Sequence, residues 1–298
     1  MPFLSPPDVQ IIVAFPELRS LELLDSGGFK NVYKAEIGSG IEVFKLVRLP
    51  APGATDEERA YRAEAVGRIR REVELLGRCN VSELVKLGTL HPRIASIGGT
   101  EYVGYSEEHL NGLDLWHLLR SGAVKPSENE ARELFRALVH AIVELWKHRV
   151  IHRDIKPKNV IRLANPSRRF VLLDLGIAYG LLDTGLTRDT QLVPGTLRYL
   201  APEMLRPGFR QSLDYRADLY AAGLTVFEYS AQIHPLARSS ADMIETLSRI
   251  ATQAPKSLKS ERPDFSAGFC RLVDQTLRKK PMLRSLNFER IVAQFGND

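Results

Sequence analysis

The hydrophobic pattern of this 298-residue chain changes once, near residue 110. Before that point, residues 18–26 and 31–49 are rich in β-branched and aromatic residues with a period close to two, and glycines interrupt them, which predicts three antiparallel strands. From Leu113 onward the apolar spacing becomes mainly helical. This order predicts an α+β protein with two lobes, and a cleft between lobes is where ligands usually bind. Further strand-like runs cover residues 84–90, 99–110, 149–152, 159–163 and 170–175.

The composition is that of a folded protein. Hydrophobic residues make up 44% and charged residues 26%, and 41 basic against 36 acidic residues give a net charge of +5, which excludes an intrinsically disordered chain. No apolar stretch approaches the roughly 20 residues that cross a bilayer, and the first residues lack the features of a signal peptide. Cys79 and Cys270 cannot form a disulfide framework and fit a reducing compartment, so we expect a cytoplasmic protein. The basic clusters are interleaved with acidic residues, no nucleic-acid-binding motif accompanies them, and they are interpreted as solvated surface.

Two helices carry start signals. Thr55 followed by Glu58 has the form of a capping box and predicts a helix over residues 56–78, which are rich in good helix formers. Ser127 followed by Glu130 is a second box of the same form. The apolar face of this second helix consists of Leu134, Leu138, Ile142 and Leu145.

The most specific signal is a set of polar residues at fixed spacing. It consists of His152-Arg153-Asp154, Lys156, Asn159 and Asp174-Leu175-Gly176, followed by Gly195-Thr196, Tyr199 and Ala201-Pro202-Glu203. Eight or more specified residues at fixed offsets do not coincide by chance.

These motifs resemble those of the eukaryotic-type protein kinases, and specifically their serine/threonine branch. The resemblance covers about residues 18–295. It implies the bilobal kinase fold, with a β-rich lobe containing one αC helix over about residues 18–110, a helical lobe over about residues 111–295, and an N-terminal extension at 1–17. The activity it implies is ATP-dependent phosphorylation of serine or threonine in a protein substrate, with Mg²⁺ as cofactor and Mn²⁺ as an alternative.

The resemblance also implies roles for residues in the second lobe. Asp154 is expected to accept the proton of the substrate hydroxyl, and Lys156 to neutralise the γ-phosphate. Thr196 corresponds to a threonine that hydrogen-bonds both of them. Asn159 and Asp174 offer the hard oxygen ligands that Mg²⁺ prefers.

In the first lobe, Lys45 occupies the place of the lysine that binds the α- and β-phosphates, and its expected partner is Glu72 on the αC helix. Ile69, Glu72 and Leu76 are spaced so that they share one face of that helix, so Glu72 can point inward. Glu74 belongs to the opposite face.

The glycine-rich loop departs from the family pattern. Only Gly27 stands where the family has a glycine, and Gly28 is extra, while Phe29 and Val32 match the apolar positions of the loop. We expect these four residues to cover the nucleotide phosphates through backbone N–H groups.

The segment that would contact adenine is Glu108-His109-Leu110 when the alignment is fixed on Gly112, with the main contacts from Glu108 and Leu110. Glu107 then stands where the family mostly has an apolar residue. A buried carboxylate is costly unless it is paired, which favours an alternative alignment shifted by one residue.

Scaffold residues match as well. Asp218 resembles the buried aspartate that orders the catalytic loop, and Arg284 resembles the arginine that pairs with Glu203. Lys280 replaces the usual aspartate before Pro281.

Two other functions compete with a protein kinase. A kinase-shaped binding or scaffold module would explain the unusual glycine loop, but such inactive members usually lose at least one catalytic residue. A small-molecule kinase would share the catalytic aspartate and asparagine, but the segment 195–203 is of the kind that holds a peptide.

We predict autophosphorylation in the segment 179–195, on Thr190 first, then Thr187, with Thr184 as a further candidate. A phosphate there would give Arg153 a charge-assisted hydrogen-bond partner. Mass spectrometry of protein prepared with and without Asp154 tests this prediction. An active kinase that carries no phosphate in either preparation would contradict it.

Overall fold

The computed structural model describes residues 5–27, 30–51, 53, 55–122, 125–175, 197–206, 208, 213–237 and 242–284. The chain divides into two compact units. The sheet unit comprises Met1–Cys79 and Val85–Leu110, and the helical unit comprises Asn80–Leu84 and Asn111–Asp298.

Among its described residues, the sheet unit forms a five-stranded antiparallel sheet, with strand order β1-β2-β3-β5-β4, and two helices. Its elements are α1 Asp8–Ala14, β1 Leu18–Ser26, β2 Lys30–Ile37, β3 Gly40–Arg48, α2 Asp56–Arg78, β4 Arg93–Ile97 and β5 Thr100–Glu108. The three strands predicted between residues 18 and 49 are therefore confirmed.

The two faces of this sheet have separate cores because side chains alternate along each strand. One face is covered by α1, whose Ile11 and the following Phe15 are fully buried against Tyr33 and Phe44. The other face is covered by α2, where Ile69 and Val73 pack on residues of β3 and β5. Residues 8–15, expected as part of an N-terminal extension, thus contribute to the core of the sheet unit.

Helix α2 begins with the predicted capping box. The Thr55 side chain accepts from the Glu58 backbone N–H, and the Glu58 carboxylate accepts from the Thr55 N–H. Ile69 and Glu72 are buried while Glu74 is exposed. The helix therefore turns one carboxylate inward within an otherwise apolar face.

The strand predicted at residues 84–90 is wrong, and only isolated bridges form there. The Thr89 N–H donates to the Glu42 carboxylate at 2.9 Å, and the Leu90 N–H donates to Ser106 Oγ at 2.9 Å. Because side chains take these backbone donors, a regular ladder does not continue, and the edge strand β4 lies farther along the chain.

The helical unit is built on a three-stranded antiparallel sheet, with order β6-β7-β8, and on helices that lie between β6 and β7 and after β8 in the chain. Its elements are β6 Gly112–Asp114, α3 Leu115–Ser121, α4 Glu128–Lys147, β7 Val160–Leu163, β8 Phe170–Leu172, α5 Arg216–Ala231, α6 Met243–Thr252, α7 Leu258–Glu261 and α8 Ala267–Thr276. Together the two units confirm the α+β class. Along the described residues, no helix combines the length and the apolar character needed to cross a bilayer.

Helix α4 has its predicted cap and apolar face, but half of its predicted capping box differs. Ser127 Oγ accepts from the Glu130 N–H at 3.2 Å. The Glu130 carboxylate accepts from Arg162 Nε at 2.5 Å and from the Tyr229 hydroxyl at 3.0 Å. This carboxylate therefore links α4 to β7 and α5.

Residues 149–152 form no strand, contrary to prediction. Arg149 has a positive φ of 57°, which ends the regular backbone after α4. The His152 N–H donates to the side chain of Asp218 on α5 rather than to a neighbouring strand.

The segment Asn80–Leu84 joins the helical unit through hydrogen bonds at several points. The Leu172 N–H donates to the Glu83 carbonyl at 2.8 Å, and the Glu83 carboxylate lies 3.0 Å from His140 Nδ1 on α4. Burial opposes ionisation of this carboxyl, but hydrogen bonds from His140 and Ser82 outweigh burial and lower the pKa of Glu83 to about 2.

This low pKa predicts acid sensitivity of the fold. The folded-state pKa lies below the ordinary value of 4.5, so the stabilisation is complete above that value and is lost as the pH falls toward 2. Because the carboxyl is only half-buried, we expect a contribution of about 1–2 kcal/mol. Urea denaturation between about pH 6 and about pH 3.5 should show a smaller loss of stability for Glu83→Gln than for the wild type. Glu74→Gln, on the exposed face of α2, is the control. An identical dependence of the free energy of unfolding on pH in all three proteins would contradict the prediction.

Candidate active site

The loop at residues 152–159 is held by one buried carboxylate from α5. Asp218 is 1% exposed and accepts the His152 N–H at 2.7 Å and the Arg153 N–H at 2.8 Å. Burial raises the pKa of Asp218, although both N–H groups favour the charged form. Arg153 has φ of 69°, a left-handed conformation that costs a non-glycine residue about 1–2 kcal/mol. The Asp218 hydrogen bonds help to hold the loop in this unfavourable conformation.

His152 makes a second connection within the same loop. Its side chain is fully buried, with Nε2 2.9 Å from the Leu173 carbonyl and Nδ1 3.3 Å from the Asp154 N–H. Since a carbonyl only accepts and an N–H only donates, we assign the proton to Nε2. The imidazole therefore links the residue before Asp174 to Asp154.

The Asp154 carboxylate is surrounded by side chains of its own loop. Lys156 Nζ lies 2.9 Å from both of its oxygens. Asn159 Nδ2 donates to the Asp154 carbonyl at 2.8 Å and to Asp154 Oδ2 at 2.9 Å. These hydrogen bonds fix the direction of the Asp154 carboxylate. Because the Asp154 side chain is 28% exposed, it remains accessible to another molecule.

Asp174 follows β8 with φ of 47°, again in the left-handed region. The Leu173 N–H donates to the Asn159 carbonyl at 2.8 Å. The backbone thus connects Asn159 directly to the residue before Asp174. Thr196 lies outside the described residues, as do Thr184, Thr187 and Thr190.

In the sheet unit, Lys45 is buried and forms an ion pair. Its Nζ lies 2.5 Å from Glu107 Oε1, and both side chains are less than 5% exposed. The argument for shifting the alignment by one residue was the cost of an unpaired buried carboxylate at Glu107. That argument does not hold, because this carboxylate is paired.

Glu72 is also buried in the sheet unit, at 4% exposure. The Tyr105 hydroxyl lies 3.5 Å from Glu72 Oε1, and Lys45 Nζ lies 5.8 Å from the centre of the Tyr105 ring. Tyr105 is thus a neighbour of both residues, a role that its strand pattern did not indicate.

The residues of the glycine-rich loop and of the segment expected to contact adenine are described only in part. Val32 is half-buried and pairs with Lys45 across β2 and β3, while the Gly27 N–H donates to the Lys30 carbonyl at 2.8 Å. Gly28 and Phe29 lie outside the described residues. The Glu108 carboxylate accepts from the Lys86 N–H at 2.7 Å, and the Glu108 N–H donates to the Lys86 carbonyl at 2.9 Å. His109 and Leu110 are half-buried.

A second buried ion pair stabilises the segment that follows Thr196. Arg284 is fully buried and donates to both oxygens of Glu203, at 2.6 and 2.8 Å. It also donates to the carbonyl of Arg216 at 3.0 Å, at the start of α5. The pairing of Arg284 with Glu203 is the one that the resemblance implied.

Sequence reasoning missed the pairing of Lys45 with Glu107. Each residue is a single charge in an apolar strand, which is a signal that a partner is needed. Identifying that partner requires the register between β3 and β5, and the sequence of either strand alone does not show this register.

Asp218→Asn should loosen the loop at residues 152–153. An amide has one acceptor oxygen, so one N–H loses its partner, and we expect a cost of about 1–3 kcal/mol. Hydrogen exchange at the His152 and Arg153 amides should become at least about tenfold faster. Asp214→Asn is the matched control, because Asp214 accepts from the Arg216 N–H and not from this loop. Unchanged exchange in Asp218→Asn would refute the anchoring role.

The chain is similar to known proteins in sequence and in fold. The family model of the protein kinase domain matches residues 19–294. The chain is 29% identical over 271 residues to the serine/threonine-protein kinase PrkC of Bacillus subtilis, an alignment that covers 89% of this chain and 38% of PrkC. It is 26% identical over 272 residues to the serine/threonine-protein kinase ppk11 of Schizosaccharomyces pombe, covering 90% of this chain and 78% of ppk11.

Other similarities are shorter or structural. The serine/threonine-protein kinase PknJ of Mycobacterium tuberculosis is 38% identical over 137 residues, covering 45% of this chain and 23% of PknJ. The crystal structure of a mutant of the Mycobacterium tuberculosis PknI kinase domain matches with a TM-score of 0.61 at 20% identity and covers 94% of both chains, which shows a shared fold. This chain spans less than half the length of PrkC and of PknJ. Because the family model matches nearly its whole length, the chain belongs to the protein kinase domain family.

Proposed function

We propose that this chain transfers the γ-phosphoryl group of ATP to serine or threonine hydroxyl groups of a protein substrate. The observation that carries this proposal is the Asp154 carboxylate, partly exposed and fixed by Lys156 and Asn159 within one loop. The names of the relatives support the same activity. The cytoplasmic location predicted from the sequence is part of this proposal, since free cysteines fit a reducing compartment.

Asp154 is proposed to orient the acceptor hydroxyl and to take its proton. In phosphoryl transfer most of the catalysis comes from positioning and charge stabilisation, so a carboxylate held in a fixed direction is the useful feature. Lys156 adds a positive charge at this carboxylate, and we propose that it also neutralises negative charge on the transferred group. Thr196 is proposed to hydrogen-bond Asp154 and Lys156.

Asn159 and Asp174 are proposed to hold Mg²⁺. The donor chemistry fits, because Asn159 uses Nδ2 for its two hydrogen bonds to Asp154, which leaves Oδ1 as its side-chain acceptor. An amide oxygen and a carboxylate are hard oxygen ligands of the kind that Mg²⁺ takes. When bound, the ion would neutralise charge on the phosphate oxygens.

Binding of ATP is proposed to involve Lys45 at the α- and β-phosphates. An ammonium group is a compact positive charge with three donors, the kind of group that binds phosphate oxygens. Glu72 is proposed to help orient Lys45. The remaining proposed nucleotide contacts are Gly27, Gly28, Phe29, Val32, Glu108 and Leu110.

Asp154→Asn tests this function. Incubation of the protein with labelled ATP, Mg²⁺ and a generic protein substrate should yield phosphoserine or phosphothreonine, and Asp154→Asn should lower kcat by about 10²- to 10⁴-fold because the general base is lost. Removal of the metal with EDTA should abolish the reaction, and added Mg²⁺ should restore it.

Asp242→Asn serves as the control, because asparagine caps the start of α6 as well as aspartate does. Its activity should stay within about twofold of the wild type. A wild-type protein that binds ATP without transferring phosphate would instead support a binding module, and transfer to a sugar or amino alcohol alone would support a small-molecule kinase.

A further inference from the structure

The register of the sheet places Lys45 and Glu107 side by side. Lys45 on β3 pairs with Tyr105 on β5, and Val43 pairs with Glu107. Lys45 and Glu107 are therefore diagonal neighbours on one face of the sheet, within reach of long side chains. The pairing of β3 with β5 thus places the two charged side chains next to each other.

Apolar side chains surround much of this pair within the sheet unit. The same face carries Val47 and Val103, and α2 covers it with Ile69 and Val73. A charge on such a face is destabilised unless it is paired and hydrogen-bonded. The direction of the Lys45 side chain therefore depends on the carboxylates that share its face.

Two buried carboxylates belong to this part of the unit, and they are supported differently. Glu107 is part of a strand paired to that of Lys45, so its distance from Lys45 is set by the sheet itself. Glu72 is on α2, and its carboxylate is also a partner of the Tyr105 hydroxyl. Strand pairing therefore holds Glu107 relative to Lys45, whereas Glu72 is held by the packing of α2 on the same face.

We propose that Glu107 is a positioning residue for Lys45, and that the direction of the Lys45 ammonium toward nucleotide phosphates depends more on this carboxylate than on Glu72. The inference rests on the proposed function, since it assigns Lys45 to the phosphates. An anchor within the sheet holds the ammonium without requiring α2 to supply the main carboxylate.

The test compares ATP affinity with thermal stability in variants of the full chain. Glu107→Gln keeps the shape and one acceptor oxygen, whereas Glu107→Leu removes both. Titration calorimetry with ATP and Mg²⁺ is carried out in the Asp154→Asn background so that ATP is not consumed. The affinity should fall in Glu107→Gln and fall further in Glu107→Leu, with a loss of at least about tenfold for the leucine variant. Glu72→Gln should lose less affinity than Glu107→Gln.

Thermal stability separates positioning from a structural role. Leucine fits an apolar face, so the Tm of Glu107→Leu should equal or exceed that of Glu107→Gln even though its ATP affinity is lower. Glu42→Gln is the control, a carboxylate on β3 that bonds Ser106 and the Thr89 N–H, and its ATP affinity should stay within about twofold of the parent.

Kinetics in the active background complete the test. Glu107→Gln and Glu107→Leu should raise the KM for ATP and leave the KM for the protein substrate unchanged. The positioning role is overturned if Glu107→Leu keeps its ATP affinity within about twofold, or if ATP affinity follows Tm across the series. In either case phosphotransfer by the wild type would still support the proposed function. If the variants show the expected order of ATP affinities but the wild type transfers no phosphate, only the proposed function is overturned. If the wild type binds no ATP, both proposals are overturned.

Discussion

The helical unit depends on the hydrogen bonds that the Asp218 carboxylate accepts from two consecutive backbone N–H groups. The two residues that donate them, His152 and Arg153, belong to no strand or helix that could satisfy these donors, and an unpaired buried N–H is costly. One side chain from a helix therefore satisfies backbone donors that a regular helix or strand would otherwise satisfy. The position of Asp154 and the conformation of Arg153 both follow from it.

Buried ion pairs have different tasks in the two units. Arg284 uses several donors, two on Glu203 and others on carbonyls, so its charge is balanced within a closed network. Lys45 is paired with a carboxylate on a neighbouring strand, and its ammonium is the proposed ligand of the nucleotide phosphates. The first arrangement fits a purely structural contact, whereas the second belongs to the proposed nucleotide site.

Local patterns predicted the elements whose stabilising contacts are local. Alternation gave the first three strands, and the Thr55 capping box gave the start of α2. The prediction failed at residues 149–152, because the partner of this segment lies 66 positions away in Asp218. Motif spacing identified Asp154 and Asn159 as candidates, but the contact between Lys45 and Glu107 depends on strand register, which appears only when the sheet forms.

Asp218 and Glu107, two carboxylates proposed to orient site residues, come from regular elements with mainly apolar neighbours. Apolar packing sets how close two elements lie but gives little preference for the direction of a side chain. A hydrogen bond depends on angle as well as distance, so a buried carboxylate can fix direction where packing cannot. The burial of Asp218 and Glu107 thus has a desolvation cost, and it fixes the direction of neighbouring groups that the proposed phosphoryl transfer would have to orient.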